Sequence, residues 1–357
     1  MARICVAMSG GVDSSVAALL LRQEGHQLSG VNLRMFHNED LGESREKTCC
    51  SLADAEDAAQ VARRLGFPFY VFDFAPVFRD TVIRDFIEAY QRGRTPNPCV
   101  ECNRAVKFGA LLDRVRVLGN DFLATGHYAR VERDGASGRY LLKRGVDRSK
   151  DQSYFLYMLT QDQLAHTLFP LGGLHKTQVR EIAETHGLAT ARKHDSQDIC
   201  FVPDGKYADF IERTCGQPAE AGPFLDQEGR ELGQHKGLIR YTRGQHKGLG
   251  ISTEEPLYVL EKDVERNAIR LGPDSALWSR ELTAEEVNWI SIPELTGPMA
   301  VTAKTRYSQR EAAAVAEPLS GGRLRVLFEE PQRAVTAGQA VVLYDGENVV
   351  GGGTICG

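Results

Sequence analysis

Two spacings of apolar residues alternate along the first 130 residues. Apolar residues three or four positions apart, the spacing of an amphipathic helix, cover four segments: 14–24, 51–65, 76–91 and 104–117. Short continuous apolar runs, typical of buried parallel strands, lie at 3–8, 28–35, 69–73 and 121–125, with the helical segments between them. This alternation predicts an α/β fold with a doubly wound parallel sheet. Ligands in such folds bind at the carboxyl ends of the strands.

The pattern changes after this region. Polar and apolar positions alternate around Gly135 and Gly138 and predict a β-hairpin over 127–144. Helical spacing then returns near 153–164 and 175–186. We therefore expect the hairpin and these helices to complete the first domain.

Gly and Pro accumulate over 203–222, which marks a domain boundary. A small β-rich region follows, and then come short strands separated by Gly and Pro turns, typical of an antiparallel barrel: 299–306, 311–317, 323–329, 340–344 and 348–355. The sequence thus predicts an α/β domain over 1–203, a small central β-rich domain over 204–280 and a C-terminal antiparallel β-barrel over 281–357.

Charge is weakly acidic overall but unevenly distributed. The 357 residues include 43 Lys or Arg and 48 Asp or Glu, a formal charge of −5, which argues against a nonspecific polyanion binder. Four segments still carry local positive surpluses that together suit a polyanion of defined shape: 91–116, 139–152, 235–248 and 300–325. No signal peptide or membrane-length apolar run is visible, so we expect a cytoplasmic protein with no membrane partner.

Residues 9–15 form a glycine-rich motif, S-G-G-V-D-S-S, between the first predicted strand and helix. Gly10 and Gly11 allow a tight turn whose N–H groups, with the helix N-terminus behind them, can hold phosphate. The serines add hydroxyl donors, and Asp13 could hold Mg²⁺ or orient a nucleotide. The lysine of a Walker A loop is absent. The pattern instead resembles the PP-loop pyrophosphatases, which cleave ATP between the α- and β-phosphates; a plain glycine-rich turn is the alternative interpretation.

Enzymes of this kind adenylate an oxygen, and the atom that then displaces AMP defines their class. Nitrogen attack would indicate an amide-forming ligase, and sulfur attack a thiolase. The chain has eight cysteines, too few for a disulfide scaffold of this length. In a reducing compartment, grouped cysteines are typical of metal-binding or catalytic roles.

Cys102 and Cys200 are the candidate reactive thiols. Pro96 and Pro98 hold the loop before Cys102 extended, and the next helix is predicted to begin near Arg104. Cys102 would then lie at a helix N-terminus close to basic side chains, a setting that lowers the pKa of a thiol. Cys200 is distant in sequence but could oppose Cys102 across a cleft.

An ordered set of motifs extends over nearly the whole chain. The motifs are G-G-V-D-S-S at 10–15, C-C-S at 49–51, T-P-N-P at 95–98, C-N at 102–103, A-T-G-H-Y at 124–128, K-D-Q-S-Y at 150–154, D-S-Q-D-I-C-F at 195–201, G-Q at 244–245, K-G-L-G at 247–250, R-Y at 306–307 and G-G-G at 351–353. With these motifs in this order, the sequence closely resembles the tRNA-specific 2-thiouridylases.

The resemblance implies ATP-dependent 2-thiolation of the wobble uridine in the tRNAs for lysine, glutamate and glutamine. ATP and Mg²⁺ would be required, and a cysteine desulfurase or sulfur-carrier protein would donate sulfur. Cys200 would carry the incoming persulfide, Cys102 would be the partner cysteine, and a transient Cys102–Cys200 disulfide would form. The central domain would act as a tRNA-binding adaptor, and the target uridine would leave the anticodon stack.

The resemblance also assigns binding positions. Those for ATP are Ala7, Met8, Ser9, Gly10, Gly11, Val12, Asp13, Ser14, Met35 and Gly126. Those for the target base are Asn97, Pro98 and Cys99. Those for the rest of the tRNA are His127, Lys150, Asp151, Gln152, Arg306, Tyr307 and Gln339.

Cys99 departs from the family pattern, because many relatives carry Asp there. Cys99, Cys102 and Cys200 could instead hold a [4Fe–4S] cluster with one open iron, since thiolates bind such clusters. A structural zinc would need a fourth ligand. Persulfide relay, a three-cysteine cluster, a different PP-loop ligase and a noncatalytic tRNA-binding module all stay open at this point.

Overall fold

The computed structural model describes residues 1–36, 52–193, 199–202 and 204–356. Cys49 and Cys50 lie outside the described residues, as does most of the motif that precedes Cys200. The strands are β1 (Arg3–Ala7), β2 (Gln27–Arg34), β3 (Phe69–Asp73), β4 (Phe122–Ala124), β5 (Ala129–Arg133), β6 (Tyr140–Arg144), β7 (Thr167–Leu168), β8 (Gly222–Leu225), β9 (Glu231–His235), β10 (Tyr258–Asp263), β11 (Ala268–Gly272), β12 (Trp278–Trp289), β13 (Met299–Lys304), β14 (Ala312–Leu319), β15 (Arg323–Arg333), β16 (Ala340–Asp345) and β17 (Asn348–Ile355).

Several helices join end to end. The α-helices are α1 (Val12–Gln23), α2 (Leu52–Leu65), α3 (Ala75–Phe78), α4 (Arg84–Gln91), α5 (Pro98–Glu101), α6 (Leu112–Val117), α7 (Gln161–Ala165), α8 (Lys176–Thr185) and α9 (Tyr207–Cys215). π-Helical turns at Arg79–Ile83 and Cys102–Leu111 link α3 to α4 and α5 to α6. Short 3₁₀ helices occupy Ser153–Leu156, Leu238–Arg240, Asp274–Leu277 and Ser320–Gly322. No helix in the described part of the chain is both long and apolar enough to cross a membrane.

Five parallel strands form the first sheet, in the order β3-β2-β1-β4-β7. Successive residues of β1 face opposite sides: Ile4 and Val6 pack in one buried cluster with α1, α2 and α8, whereas Cys5 packs in another with the helices of 75–91 and 98–117. Helices therefore cover both faces, and the predicted doubly wound sheet is confirmed. The two-residue strand β7 was too short to be predicted from apolar spacing.

The helix that carries Cys102 begins earlier than predicted. It starts at Pro98 instead of near Arg104, and the Asn97 side chain accepts a hydrogen bond from the Val100 N–H at its N-terminus. Pro at the first helical position and Asn before it are favoured because the fixed φ of Pro suits a helix and the Asn oxygen caps an orphan N–H group. Cys102 is therefore the fifth residue of a continuous helical segment.

The C-terminal region is a closed barrel, as predicted. Its strands follow the order β12-β15-β14-β13-β16-β17, and β12 pairs with β17 to close the ring, for example Ala284 opposite Ile355. The predicted β5–β6 hairpin is confirmed and adds to the barrel through Lys143 opposite Asn348. A four-stranded sheet, β10-β11-β8-β9, forms the small central region. The boundary predicted between 280 and 281 falls within β12.

Candidate nucleotide and thiol site

The glycine-rich motif makes a sharp turn between β1 and α1. Gly10 has a φ of +75°, and a Cβ there would lie 2.2 Å from the carbonyl oxygen of Asp54. Gly11 is extended and precedes the first residue of α1. Only glycine fits position 10, and the turn leaves the N-terminus of a buried twelve-residue helix facing the carboxyl edge of the sheet.

Serine hydroxyls hold this turn together. Ser14 Oγ accepts a hydrogen bond from the Ser9 N–H and donates to the Gly11 carbonyl, both at 3.2 Å. Ser15 Oγ also donates to the Gly11 carbonyl, at 2.8 Å. The sequence suggested these hydroxyls as phosphate donors, but here Ser14 and Ser15 are buried and bond to the backbone.

Asp13, predicted either to hold Mg²⁺ or to orient a nucleotide, already has two partners. Lys176 Nζ, at the start of α8, lies 2.8 Å from both of its carboxylate oxygens. The Tyr128 hydroxyl donates to the same carboxylate at 2.7 Å. The turn thus has a lysine beside it, although from a helix some 160 residues away in sequence.

A second lysine, also distant in sequence, contacts the other side of the turn. Lys193 Nζ donates to the Gly10 carbonyl at 3.1 Å and pairs with Asp54 and Asp57 of α2 at 2.5 and 2.6 Å. Burial opposes the charge of Lys193, but the two carboxylates outweigh it and raise its pKa. Neither Lys176 nor Lys193 was identified from the sequence, because only the fold brings these lysines next to the turn.

The other predicted ATP positions gather at the same edge. Ala7 ends β1 and Met8 follows it, Met35 follows β2, and Gly126 follows β4. Asn32 Nδ2 donates to the Met8 carbonyl at 2.8 Å. A Cβ on Gly126 would lie 2.8 Å from the Ser14 nitrogen, so β4 closes directly onto the first turn of α1.

Cys102 lies next to this edge but in a buried position. Its Sγ is 3.9 Å from the Met35 sulfur. Burial raises its pKa to about 11, and the nearby Lys107 only partly opposes this. Arg104 forms a two-pronged ion pair with Glu101 at 2.7 and 2.8 Å. The sequence-based prediction of a lowered thiol pKa is wrong for this conformation, because desolvation outweighs the basic neighbours.

The three candidate cluster cysteines differ in their surroundings. Cys99 is exposed, Cys102 is buried, and Cys200 is half-buried against the same apolar cluster as Cys102. Among the described residues, which include all three, no group of three His, Cys, Asp or Glu side chains is arranged to hold a metal ion. This arrangement does not fit an iron–sulfur cluster, and Cys102 is an unbridged thiol.

Residues 95–97, which lead into the helix at Pro98 and are called the target-base loop after the prediction for Asn97, contact the barrel. Gln339 Nε2 donates to the Thr95 and Pro96 carbonyls at 2.8 and 3.3 Å. Tyr154 hydrogen-bonds to the Asn97 side chain, and its hydroxyl donates to the Ala340 carbonyl at 3.0 Å. Gln339 therefore fixes the loop that leads into the cysteine helix.

Arg306 and Tyr307 extend this junction. Arg306 donates to Thr336 Oγ1 at 2.7 Å and to the Ala334 carbonyl at 3.1 Å. The Tyr307 ring centroid is 4.4 Å from that of Phe155, yet 37% of Tyr307 is exposed. Lys150 is close enough to oppose the rise that burial causes in the Tyr307 pKa. Arg306 and Tyr307 both lie near Tyr154, which bonds to the Asn97 side chain.

The remaining predicted tRNA positions are packed into the protein. Burial, helped by Lys107, lowers the pKa of His127 well below its ordinary value, so this ring is neutral. Asp151 is buried and accepts hydrogen bonds from Gly145 and Ser153. Gln152 exchanges hydrogen bonds with the Tyr128 backbone. Their observed contacts position the segment that follows β4 and β6.

Comparison with known families covers almost the whole chain. A model described as the tRNA methyl transferase HUP domain matches residues 2–204, its PRC-barrel domain matches 208–273, and the aminomethyltransferase beta-barrel domain matches 279–355. The tRNA-specific 2-thiouridylase of Moorella thermoacetica is 53% identical over 98% of both chains. That of Heliobacterium modesticaldum is 52% identical over 99% of this chain and 92% of its own.

The chain belongs to the tRNA-specific 2-thiouridylase family. The domain descriptions mention methyl transfer. The 2-thiouridylases, however, match almost the whole chain with about half of the residues identical, so these relatives define the family. Its PP-loop-type α/β fold is that of ATP-utilising enzymes.

Solved structures are less similar to this chain than the sequence relatives are. The U34-tRNA thiolase NcsA of Methanococcus maripaludis, with its [4Fe–4S] cluster, is 19% identical with a TM-score of 0.35, over 59% of this chain and 66% of that one. At these values the cluster of that protein does not transfer to the present chain.

Proposed function

We propose that this protein converts the wobble uridine of the tRNAs for lysine, glutamate and glutamine to 2-thiouridine, using ATP and a cysteine persulfide. The observation that carries the proposal is a thiol close to the carboxyl edge of the sheet, where we place ATP. Cys102 Sγ lies 3.9 Å from the sulfur of Met35. Met35 follows β2, and β2 pairs with β1, the strand that leads into the glycine-rich turn. An amide-forming ligase has no use for that thiol.

The first step would activate the uracil. The N–H groups of the turn at 9–12 and the N-terminus of α1 would hold the phosphates, with ATP spanning Ala7–Ser14, Met35 and Gly126. Uracil O2 attacks the α-phosphorus, pyrophosphate leaves, and O2 becomes part of a good leaving group. Mg²⁺ would supply positive charge to the phosphates, and Asp13 is its proposed ligand once Lys176 exchanges Asp13 for a phosphate oxygen.

The second step would transfer sulfur. A donor of the desulfurase or sulfur-carrier class loads Cys200 with a persulfide, whose terminal sulfur attacks C2 and expels AMP. Cys102 then attacks the Cys200 sulfur, which releases 2-thiouridine and leaves a Cys102–Cys200 disulfide. An external thiol reductant supplies two electrons to restore both thiols. Since burial raises the Cys102 pKa to about 11, this thiol must be deprotonated by a change in its surroundings during the cycle.

The remaining surfaces would present the RNA in the cytoplasm. We propose that Asn97, Pro98 and Cys99 contact the extruded base, while the central domain (204–280) and the barrel (281–357) hold the anticodon stem. Gln339 supports this because it donates hydrogen bonds to the loop before Asn97, and Arg306 and Tyr307 support it because they lie near Tyr154, which bonds to Asn97. His127, Lys150, Asp151 and Gln152 would act by shaping the neighbouring segment, since most of their observed contacts are internal.

A reconstituted reaction tests the proposal. The enzyme is incubated with ATP, Mg²⁺, a persulfide donor and unmodified tRNA, and the nucleosides are analysed by mass spectrometry. We expect 2-thiouridine and an equal amount of AMP from the wild type, and none from Cys200→Ser. Cys215→Ser is the matched control, because Cys215 is exposed at the end of α9. Failure of the wild type to form 2-thiouridine would reject the function.

A further inference from the structure

The strand β3 forms one edge of the parallel sheet and lacks the features that normally protect such an edge. Among the strands of the described residues it pairs only with β2, from Gly30 opposite Phe69 to Arg34 opposite Asp73. Natural edge strands commonly carry Lys, Pro or a β-bulge, which prevents pairing with another chain. The five residues of β3, F-Y-V-F-D, include neither Lys nor Pro, and their register with β2 has no shift. This edge can therefore accept a further strand.

A backbone hydrogen bond shows which residues of β3 face the open side. The Pro68 carbonyl accepts a hydrogen bond from the Gly30 N–H of β2 at 2.8 Å. In a β-strand, residues two positions apart direct their N–H and C=O groups to the same side, and the residue between them directs its groups to the other side. The backbone groups of Tyr70 and Phe72 therefore point towards β2, whereas those of Val71 point outwards.

Exposed apolar side chains lie along the same side of the domain. Their exposed fractions are between 46% and 86%, and they belong to Tyr70, Val71, Val117 and Leu118. The last two end α6 one turn after Arg114, whose guanidinium carbon is 4.2 Å from the centroid of the Phe72 ring. Residues three and four apart share a helix face, so the face of α6 that carries them is directed towards β3. We call this surface, β3 together with the end of α6, the β3 edge.

We propose that the β3 edge pairs with the β3 edge of a second copy of this chain. The two strands run antiparallel, and a two-fold axis places Val71 opposite the partner's Val71. Because the backbone groups of Val71 point outwards, the two residues exchange N–H···O=C hydrogen bonds. Tyr70 then lies opposite the partner's Phe72, and such aromatic cross-strand pairs stabilise a sheet. The two five-stranded sheets become one continuous sheet.

Charges at the two ends of β3 favour a second copy as the occupant. Asp73 is exposed at the carboxyl end of the strand, and Arg63 is exposed in the last turn of α2, which leads into the amino end. Antiparallel pairing brings the carboxyl end of one β3 beside the amino end of the other. Asp73 of each chain therefore approaches Arg63 of the other chain, and the two-fold axis repeats this opposite-charge pair.

The pairing leaves both nucleotide edges open. The strands of the two copies run in opposite directions, so their carboxyl edges, where the glycine-rich turns lie, face opposite sides of the joined sheet. Each subunit keeps a complete site of its own. The interface is therefore independent of the reaction proposed above.

Sedimentation velocity of the full chain over a range of concentrations measures the pairing. A short edge interface is at the small end of specific interfaces, so we expect monomer–dimer exchange with a Kd of the order of 10 μM. Val71→Lys places two like charges opposite each other at the two-fold axis and should raise this Kd at least about tenfold. Val264→Lys is the matched control, because Val264 is 43% exposed in the turn between β10 and β11, and it should leave the Kd unchanged.

A second variant tests the register of the pair. Val71→Cys brings two thiols together across the two-fold axis, with a Cα separation of about 5.5 Å that permits a disulfide. Mild oxidation should therefore cross-link this variant through the two introduced thiols, as identified by peptide mass spectrometry. Val264→Cys should form no such cross-link.

A wild-type chain that stays monomeric at every concentration would overturn the proposal. So would a dimer that Val71→Lys leaves intact, or a dimer in which Val71→Cys forms no cross-link, because either would form through another surface. Melting curves of the variants check that each is folded. Wild-type enzyme that dimerises but makes no 2-thiouridine would reject the proposed function and leave this pairing in place.

Discussion

Replacing Lys176 with Met should loosen the glycine-rich turn between β1 and α1, because this lysine neutralises Asp13. Its Nζ lies 2.8 Å from both carboxylate oxygens, and the Lys176 and Asp13 side chains are 10% and 31% exposed. Met retains most of the apolar stem and its packing while removing the charge. The carboxylate would keep only the Tyr128 hydroxyl among its observed partners.

The size of the effect follows from this exposure. Removing one partner of a fully buried ion pair costs about 3–5 kcal/mol, and exposed pairs contribute about 0–1 kcal/mol. A lysine that is nearly buried and a carboxylate that is one-third exposed lie between these limits, so we expect about 2 kcal/mol. That value corresponds to about a 30-fold increase in the opening equilibrium of the turn.

Native-state hydrogen exchange of the amides in α1 measures this opening directly, without requiring the whole chain to unfold in one step. Lys176→Met should accelerate their exchange about 30-fold. Lys236→Met, at an exposed position, should leave it unchanged. In Asp13→Asn the ion pair is already lost, so adding Lys176→Met should cost under about 0.5 kcal/mol. If the two substitutions were additive instead, the ion pair would not be what stabilises the turn.

Three further predictions concern Cys102 and Gly126. The rate of Cys102 alkylation by iodoacetamide is measured by peptide mass spectrometry. This rate should rise about tenfold per pH unit between pH 7 and 10, because burial raises the pKa of the thiol to about 11. A plateau of the rate below pH 9 would contradict this. Burial disfavours the thiolate, so the unfolded chain loses this proton first and the stability it contributes falls as pH rises from about 9 to about 11. Gly126→Ala should suppress ATP-dependent pyrophosphate release, because the added Cβ would lie 2.8 Å from the Ser14 nitrogen. Gly135→Ala is the control and should not reduce this release, because the space around Gly135 is open. Equal activity of the two variants would show that the turn tolerates the added methyl group.

Apolar spacing predicted the layered fold well, since it records which residues are buried. The four principal strands, the hairpin and the barrel strands β13 to β17 lie close to their predicted positions. The errors came where local chemistry overrides spacing. Asn97 and Pro98 start the helix earlier than the apolar spacing predicted. Cys102 therefore lies inside the helix and is buried, instead of at the expected helix N-terminus.

The candidate site was predictable only where its residues adjoin each other in sequence. The glycine-rich turn is one continuous motif, so its glycines could be interpreted directly. Lys176 and Lys193 reach that turn from more than 160 residues away, and nothing in their own segments indicates this contact. A sequence that lacks the Walker A lysine can thus still place two lysines beside its glycine-rich turn.

Counting charges along the sequence also fails to show which cations are paired in the fold, and this affects where RNA would bind. The segment 139–152 has a positive surplus, but Arg144 pairs with Glu311 and Arg148 pairs with Glu347, carboxylates that the barrel brings to them. These cations join the hairpin to the barrel and are neutralised within the protein. Arg306, whose segment looked similar by count, donates instead to uncharged acceptors in the described part of the chain, the carbonyls of Arg243 and Ala334 and the hydroxyl of Thr336. RNA affinity should therefore depend little on the positive surplus of the hairpin segment.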